Sequence, residues 1–250
     1  MIFFRENWEI ILLVIGIILV IYVFYRKEKD TWLNYRLGDI LRGWLKKNGS
    51  TKYLNNIEKK LPNSIGAKYI QKTKKLKPKL YYNIIQSILD DLQYEKPNDN
   101  DIILHLRIGD SINGINDNVN YHRNGNNEAY ATIVEKLEKT LHLLDDKNRC
   151  VIIYGSHTSL TKNQKEINKF YLTKIRELLR KYNFEFIEKI NGNPDEDFYY
   201  MAHSKTFIKS GGGYSTIIAN IVINNGGLVY YPNNILKKDN FTWGGKNWDL

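Results

Sequence analysis

The chain has 250 residues, of which 42% are hydrophobic and 26% charged, and this composition is typical of a folded protein with a buried core. The length suits one compact domain or two small ones. The single cysteine, Cys150, excludes a disulfide framework, a cysteine-based zinc site and an iron–sulfur cluster within one chain.

The net charge of +10 is concentrated in one segment of the chain. Residues 26–80 contain 16 Lys and Arg against four acids, a balance of +12, which leaves −2 for the rest of the chain. This basic segment directly follows the most hydrophobic stretch of the sequence. The adjacency favours an anionic membrane surface as the partner of the basic segment. Nucleic acid is the less favoured partner, because no recognisable nucleic-acid-reading motif accompanies the charge.

The hydrophobic stretch, Ile10–Tyr25, has sixteen residues without a charge. With Trp8 before it and Arg26 and Lys27 after it, the stretch predicts a transmembrane anchor over residues 8–25. A cleaved signal peptide is the alternative, but the segment before the stretch is not positive and no small-residue cleavage site follows it. The positive flank lies on the C-terminal side of the anchor. We therefore expect a single-pass membrane protein whose globular part is cytosolic.

Residues 26–98 are predicted to form a basic juxtamembrane region. Apolar residues at near-helical spacing predict an amphipathic helix from about residue 30 to 47, which lies in the membrane interface or packs on the domain. Residues 46–79 have weak periodicity and dense charge, so we expect short helices and loops there. The segment Tyr81–Gln93 again has helical spacing.

Over residues 99–250, short β-rich runs alternate with longer helical runs. The predicted strands are Ile102–Arg107, Cys150–Tyr154, Phe184–Ile190, Thr206–Lys209 and Leu228–Tyr231, and the predicted helices are Glu128–Leu144, Gln164–Tyr182, Pro194–Ser204 and Tyr214–Ile223. Short buried strands joined by helices pair in parallel, so the pattern predicts an α/β domain with a Rossmann-like, doubly wound sheet. Ligands of such sheets bind at the carboxyl ends of the strands.

The loop after the first predicted strand has the sequence His105-Leu-Arg-Ile-Gly-Asp110. Arg107 stands at the strand end, where its forked donors can bind a diphosphate through two parallel hydrogen bonds. Asp110 can cap the turn or orient Arg107. The alternative is a structural ion pair between Arg107 and Asp110.

The loop after the fourth predicted strand has the sequence Ser210-Gly-Gly-Gly-Tyr-Ser215. Three consecutive glycines allow a ligand to approach the backbone closely, and the N–H groups that begin the next helix favour an anion. The alternative is a flexible turn with a capping serine. The loop lacks the lysine of a Walker motif and the spacing of a dinucleotide fingerprint, which argues against an ATPase or a dehydrogenase.

Together these segments resemble the alpha-1,2-fucosyltransferases and the related alpha-1,6- and protein O-fucosyltransferases. His105–Asp110 is similar to their H-x-R-R-G-D motif. The block Asp197–Ala219 keeps the spacing of their D-x-x-x-M-[SA] … I … S-x-F-S … A segment. Arg36–Leu41 is weakly similar to their G-x-L-G-N-x-[LM] turn, and the main resemblance covers about residues 100–250. The departures are Ile108 in place of the second arginine, and Thr216 and Ile217 in place of tryptophans.

The resemblance implies a GT-B-like glycosyltransferase that moves fucose or a similar sugar from GDP-fucose to a glycan hydroxyl with inversion. It implies no metal and no other cofactor, and it makes residues 26–98 a reduced acceptor-side region as well as a juxtamembrane one. Arg107 would bind the β-phosphate of GDP, Asp197 would lie at the nucleotide, and His105 matches the motif histidine. The residues implied to line the phosphates and the ribose are Ser210, Gly211, Gly212, Gly213, Tyr214 and Ser215.

The chemistry of glycosyl transfer agrees with this implication. Breaking the bond between a sugar and a diphosphate requires fixed cations and N–H donors for the leaving group. The acidic triplet Asp99-Asn-Asp101 precedes its strand, so it does not suit the D-x-D metal motif of other glycosyltransferases. Candidates for the general base are Asp110, His122 and Glu128. The remaining histidines have no partner at metal-ligand spacing: His142, His157 and His203.

Two other functions stay open at this point. One is a glycosyltransferase that uses another nucleotide sugar. The other is a membrane-anchored nucleotide- or glycan-binding module that has lost catalysis, an alternative that Ile108 at the position of the second motif arginine keeps open.

Overall fold

The structure is a computed structural model that describes part of the chain. The described residues are 14–18, 37–38, 40–41, 63–76, 80–108, 112–115, 118–123, 126–129, 137–144, 149–155, 161–210, 213–231, 234–235, 242–243 and 246–247.

A six-stranded sheet forms the centre of the fold. Its strands are β1 (Ile102–His105), β5 (Cys150–Tyr154), β6 (Phe186–Ile190), β7 (Thr206–Ile208), β8 (Leu228–Tyr231) and β9 (Asn234–Ile235). They lie in the order β6-β5-β1-β7-β8-β9; the first five run parallel, and β9 pairs antiparallel with β8. Numbered along the chain, the parallel strands have the order 3-2-1-4-5. This order is compatible with a Rossmann-like α/β fold.

Five described helices are complete enough to be given bounds. They are α1 (Ile65–Thr73), α2 (Tyr82–Asp90), α3 (Lys162–Lys181), α4 (Pro194–Ala202) and α5 (Gly213–Asn224). The crossovers of the parallel sheet are α3 from β5 to β6, α4 from β6 to β7, and α5 from β7 to β8. Residues 137–141 are also helical.

Local sequence explains where α3 and α4 begin. The Thr161 side chain accepts a hydrogen bond from the Gln164 N–H, and the Gln164 side chain accepts one from the Thr161 N–H, which is a capping box at the start of α3. At the start of α4, the Asn193 side chain accepts from the Asp195 N–H, and Pro194 occupies the first helical position. Acidic residues occupy the first turn of α4, where their negative charges interact favourably with the positive end of the helix dipole.

The sheet separates two hydrophobic cores. The first core contains Ile103, Val151, Phe207 and Val229 of the sheet, with apolar residues of α1, α2, α4 and α5. The second core contains the alternate strand residues, together with α3 and the helical residues 137–141. The central strands β1 and β5 therefore bury both faces, as helices on both sides of a parallel sheet require, whereas the edge strand β6 exposes Ile187 and Ile190.

The five predicted strands are confirmed, and two of them, at Cys150 and Leu228, have the predicted bounds. β1, β6 and β7 are each one or two residues shorter than predicted. The predicted helices after β5, β6 and β7 and the helix from about Tyr81 are also present, with ends shifted by at most three residues.

The prediction of a helix beginning at Glu128 is wrong. A three-stranded antiparallel sheet occupies this part of the chain: β2 (Ile112–Ile115), β3 (Asn118–Arg123) and β4 (Asn126–Ala129). Glu128 lies on β4, in register with Tyr121 of β3. The helical residues 137–141 agree with the later part of the prediction. The remaining described strands are β10 (Thr242–Trp243) and β11 (Lys246–Asn247), which form an antiparallel pair.

The predicted amphipathic helix over about residues 30–47 is described in part. Residues 37, 38, 40 and 41 are helical, and Leu37, Ile40 and Leu41 are buried in the first core. The sequence allowed this helix to lie in the membrane interface or to pack on the domain. The described residues pack on the domain.

Most of the predicted membrane anchor lies outside the described residues; within it, residues 14–18 are helical. In the part of the chain that the structure describes, no helix is both long and apolar enough to span a bilayer.

Contacts tie the residues before the sheet to α4. The Ile65 N–H at the start of α1 donates to Oδ2 of Asp195 over 2.9 Å, and the Tyr199 hydroxyl donates to the carbonyl of Leu92 over 3.3 Å. The Lys189 ammonium lies 2.7 Å from Oε2 of Glu95. These bonds and the shared first core hold α1 and α2 against the sheet.

Candidate functional site

The order of the strands reverses between β1 and β7. The chain leads from β1 to β5 and β6 on one side, and from β7 to β8 on the other. Crossovers that depart in opposite directions leave a crevice at the carboxyl ends of the two central strands, where doubly wound folds bind their ligands. The two loops that the sequence singles out, after β1 and after β7, flank this point of reversal.

The two loops are joined by a hydrogen bond between side chains. Nδ1 of His105, the last residue of β1, lies 2.8 Å from Oγ of Ser210, the second residue after β7. The His105 ring also lies 5.7 Å from the Tyr214 ring, measured between centroids. Both residues of the hydrogen bond are half-buried. The predicted residues His105, Ser210 and Tyr214 therefore lie together at one edge of the sheet.

A second hydrogen bond joins Ser210, the residue before the three glycines, to the first turn of α5. The Ser210 N–H donates to Oγ of Ser215 over 3.2 Å, and the Ser215 side chain is fully buried in the first turn of α5. The helix begins at Gly213. Gly211 and Gly212 lie outside the described residues. Ser215 thus fixes the backbone of Ser210, and its buried hydroxyl does not line an exposed surface.

Tyr214 links α5 to α4. Its hydroxyl donates to the carbonyl oxygen of Pro194 over 2.6 Å, and its ring contacts Phe198 edge to face with 5.7 Å between centroids. Because Pro194 is the first residue of α4, this bond brings the N-termini of two helices together at the same sheet edge.

Gly38 is packed against the start of α5. A Cβ atom added to Gly38 would lie 3.0 Å from the backbone N of Tyr214 and 3.4 Å from the carbonyl carbon of Gly213. Only glycine allows this approach without displacing backbone. Gly38, which lies in the segment with the weak motif similarity, therefore packs closely against the first residues of α5.

Arg107 lies two residues beyond the end of β1, and its side chain is exposed. Ile108, which follows it, is buried in the second core and contributes no charge to the site. Asp110 lies outside the described residues, so the predicted contact between Arg107 and Asp110 stays a prediction.

Asp197 lies in the first turn of α4, behind the loop that follows β6. A Cβ atom added to Gly192 would lie 2.5 Å from Oδ1 of Asp197, so the carboxylate packs directly over the glycine. Burial raises the pKa of Asp197 to about 6, opposed by the positive charge of Lys189 and assisted by the negative charge of Glu196. A carboxyl group with a raised pKa in a crevice is a common feature of binding sites.

Asp197→Asn is expected to stabilise the protein at pH 8 and not at pH 4. The folded state raises the pKa of this carboxyl, so its ionisation opposes folding; wild-type stability is therefore lost as the pH rises from about 4 through 6. Urea unfolding at both pH values measures the difference. The same substitution at the exposed Asp99 is the control, and an equal gain there would contradict the assignment.

The sequence did not identify Lys209 as a site residue. Lys209 directly follows β7 and precedes Ser210, yet its side chain is 5% exposed. Its ammonium lies over the ring of Tyr231, 4.5 Å from the centroid. A charged residue that is almost fully buried at a strand end is unusual. The sequence assigned Lys209 to the end of the predicted strand Thr206–Lys209, directly before the glycine loop.

The other polar candidates are on other elements. His122 is on β3 and Glu128 on β4, two strands of the antiparallel sheet. Nε2 of His142 lies 2.8 Å from the Tyr182 hydroxyl on the surface, and Nδ1 of His203 lies 2.8 Å from the carbonyl oxygen of Tyr199. His157 is outside the described residues. Among those described, no group of three or more His, Cys, Asp or Glu residues is placed to hold a metal ion.

The acidic triplet before β1 has a structural role. Both oxygens of Asp101 accept hydrogen bonds from the Arg149 guanidinium, over 3.1 and 2.9 Å. This pair lies at the amino ends of β1 and β5, the edge opposite to the candidate site.

Comparisons of this chain with protein-family models, with curated proteins and with solved structures found no match.

Proposed function

We propose that this protein is a membrane-anchored inverting glycosyltransferase with a GT-B-like fold. It transfers fucose or a similar sugar from a GDP-sugar to a glycan hydroxyl, without a metal ion or other cofactor. One observation carries the proposal: the 2.8 Å hydrogen bond between His105 and Ser210, which joins the arginine loop to the glycine loop at the reversal of strand order. A diphosphate at that point can contact both loops.

The reaction needs stabilisation of a leaving diphosphate. The acceptor oxygen forms a bond to the anomeric carbon, while the bond from that carbon to the β-phosphate oxygen breaks and its electron pair stays on GDP. The acceptor proton passes to a general base, for which Asp110, His122 and Glu128 are the candidates. Arg107 can neutralise the developing charge, and the N–H groups that begin α5 can donate to it.

The described contacts give the other residues supporting roles. His105 fixes the Ser210 side chain and Ser215 fixes the Ser210 backbone, so the residue before the three glycines is held in place before a ligand arrives. Asp197 and Tyr214 belong to the two helix N-termini that meet beside the loop. Gly38, which belongs to the region that we propose to be acceptor-side, packs against the first residues of α5.

A glycosyltransferase for another nucleotide sugar, or a binding module without catalysis, is the second candidate. Ile108 favours this second candidate, because a buried apolar side chain stands where the motif has its second arginine and supplies no cation to the first loop. The anchor and basic segment would serve either function by holding the domain at a membrane.

Nucleotide binding by the full chain in detergent tests the proposal. We expect GDP and GDP-fucose at ~100 times their Kd to stabilise the folded state by about 2.7 kcal/mol, with UDP and UDP-glucose giving no shift in Tm. Release of GDP from GDP-fucose, with a panel of glycan acceptors and with EDTA present, tests the reaction.

Each outcome decides between the candidates. GDP release that persists in EDTA supports a metal-independent transferase. Protection by UDP-sugars alone supports a different donor, and protection by GDP without turnover on any acceptor supports the binding module. A chain that binds none of these nucleotides overturns the proposal.

A further inference from the structure

We propose that Lys209 is a second cation of the site and binds the diphosphate of the nucleotide sugar. This inference rests on the function proposed above and adds to it a residue that neither the motifs nor the predicted loops assign.

The end of β7 places Lys209 on the face of the sheet against which α4 and α5 pack. Phe207, two residues earlier, points into the first core, where α4 and α5 pack. Side chains two residues apart on a strand share a face, so Lys209 emerges on the same side. The pairing of Leu104 with Ile208 makes His105 and Lys209 the next residues on the two adjacent strands. His105 contacts Tyr214 of α5 from that face.

The backbone on both sides of Lys209 is fixed. Its own N–H donates to the carbonyl oxygen of Tyr230 over 2.7 Å, which continues the ladder between β7 and β8. The next residue, Ser210, is held by His105 and by Ser215. The side chain is held in turn by the Tyr231 ring, through a cation–π contact that contributes about 0.5–2 kcal/mol. The ammonium is therefore preorganised.

The environment of this ammonium favours a highly charged anion as its ligand. A buried ammonium interacts more strongly with a nearby anion than an exposed one does, because the local dielectric constant is lower. The N-terminus of α5 begins four residues later, at Gly213, and adds partial positive charge at the same sheet edge. Tyr231 is half-buried, so this cluster borders the solvent-facing side of the sheet edge. A diphosphate has enough charge and enough oxygen atoms to bind both groups.

Lys209→Met in the full chain tests the assignment, because methionine preserves most of the side-chain shape without the charge. We expect the Kd for GDP and for inorganic pyrophosphate to rise about 10- to 100-fold, as for the loss of one charged hydrogen bond. Binding of guanosine, which has no phosphate, should be unchanged. The control is Lys205→Met, at an exposed lysine next to the amino end of β7, which should leave all three affinities unchanged.

The outcomes separate this inference from the proposed function. If wild type binds GDP and Lys209→Met binds it equally well, the role of Lys209 is overturned and the proposed function stands. Equal losses for GDP and guanosine would mean that Lys209 only supports the fold, which also overturns the role. If wild type binds neither GDP nor pyrophosphate, the proposed function is overturned, and the role of Lys209, which rests on it, is overturned as well. Should the methionine variant not fold, Lys209→Gln is measured with the same ligands and the same criteria.

Discussion

Arg107→Ala is expected to reduce turnover of a GDP-sugar about 10²–10³-fold, the usual cost of removing one group that stabilises transition-state charge. The charge of the leaving diphosphate grows as the glycosidic bond breaks, so the loss falls on kcat more than on the affinity for the donor. Steady-state kinetics of GDP release measure both quantities.

The fold should tolerate this substitution. Arg107 is exposed and lies beyond the last residue of β1, so the free energy of unfolding is expected to change by no more than about 0.5 kcal/mol. Arg107→Lys is the matched variant: it keeps the charge and loses the two parallel donors, so its turnover should lie between those of wild type and Arg107→Ala. Wild-type turnover by Arg107→Ala would remove Arg107 from the proposed mechanism.

Buried strands and amphipathic helices account for the part of the fold that was predictable. Cys150–Tyr154 is an apolar run with all five residues buried, and α3 has a capping box before it and basic residues in its last turn. Such elements are determined by local sequence, so their positions follow from hydrophobic pattern and end signals.

The antiparallel sheet β2–β4 was not predictable in the same way. Its strands have the sequences INGI, NVNYHR and NNEA, in which asparagine and glycine, both depleted in strands, outnumber β-branched and aromatic residues. These strands are stabilised by pairing with one another, and a pattern search along one segment does not detect pairing between segments.

The candidate site was likewise predictable only in part. The His105 and Ser210 loops were identified from their residue types, but their direct contact depends on β1 and β7 being neighbours, which is a property of the whole sheet. The close approach of Gly38 depends on a helix more than 170 positions away along the chain, at Gly213. Lys209 was assigned to the end of a strand and not to the site, because a lysine at a strand end gives no local sign that it is buried.

Arg149→Met is expected to lower the free energy of unfolding by roughly 3 kcal/mol, the low end of the cost of breaking a buried ion pair. The Asp101 side chain is 4% exposed, so removal of the guanidinium leaves this buried carboxyl group without its ion-pair partner. Arg149 is 34% exposed, and the Asn98 N–H still donates to Asp101 over 3.0 Å. The loss of stability should therefore stay at the low end of the cost of breaking a buried ion pair. Urea unfolding at pH 7 measures the change.

Two controls separate this effect from a general loss of charge and from an effect on the site. Lys174→Met removes the cation of an exposed ion pair with Glu177, and it should change the free energy of unfolding by less than about 0.5 kcal/mol. The double variant with Asp101→Asn should regain part of the loss, because no buried charge is then left without its partner. Since Asp101 and Arg149 lie at the amino ends of the strands, the folded Arg149→Met protein should bind GDP as wild type does. A large loss of GDP affinity in this variant would mean that the two edges of the sheet are coupled, and the assignment of ligand binding to the carboxyl edge alone would then be wrong.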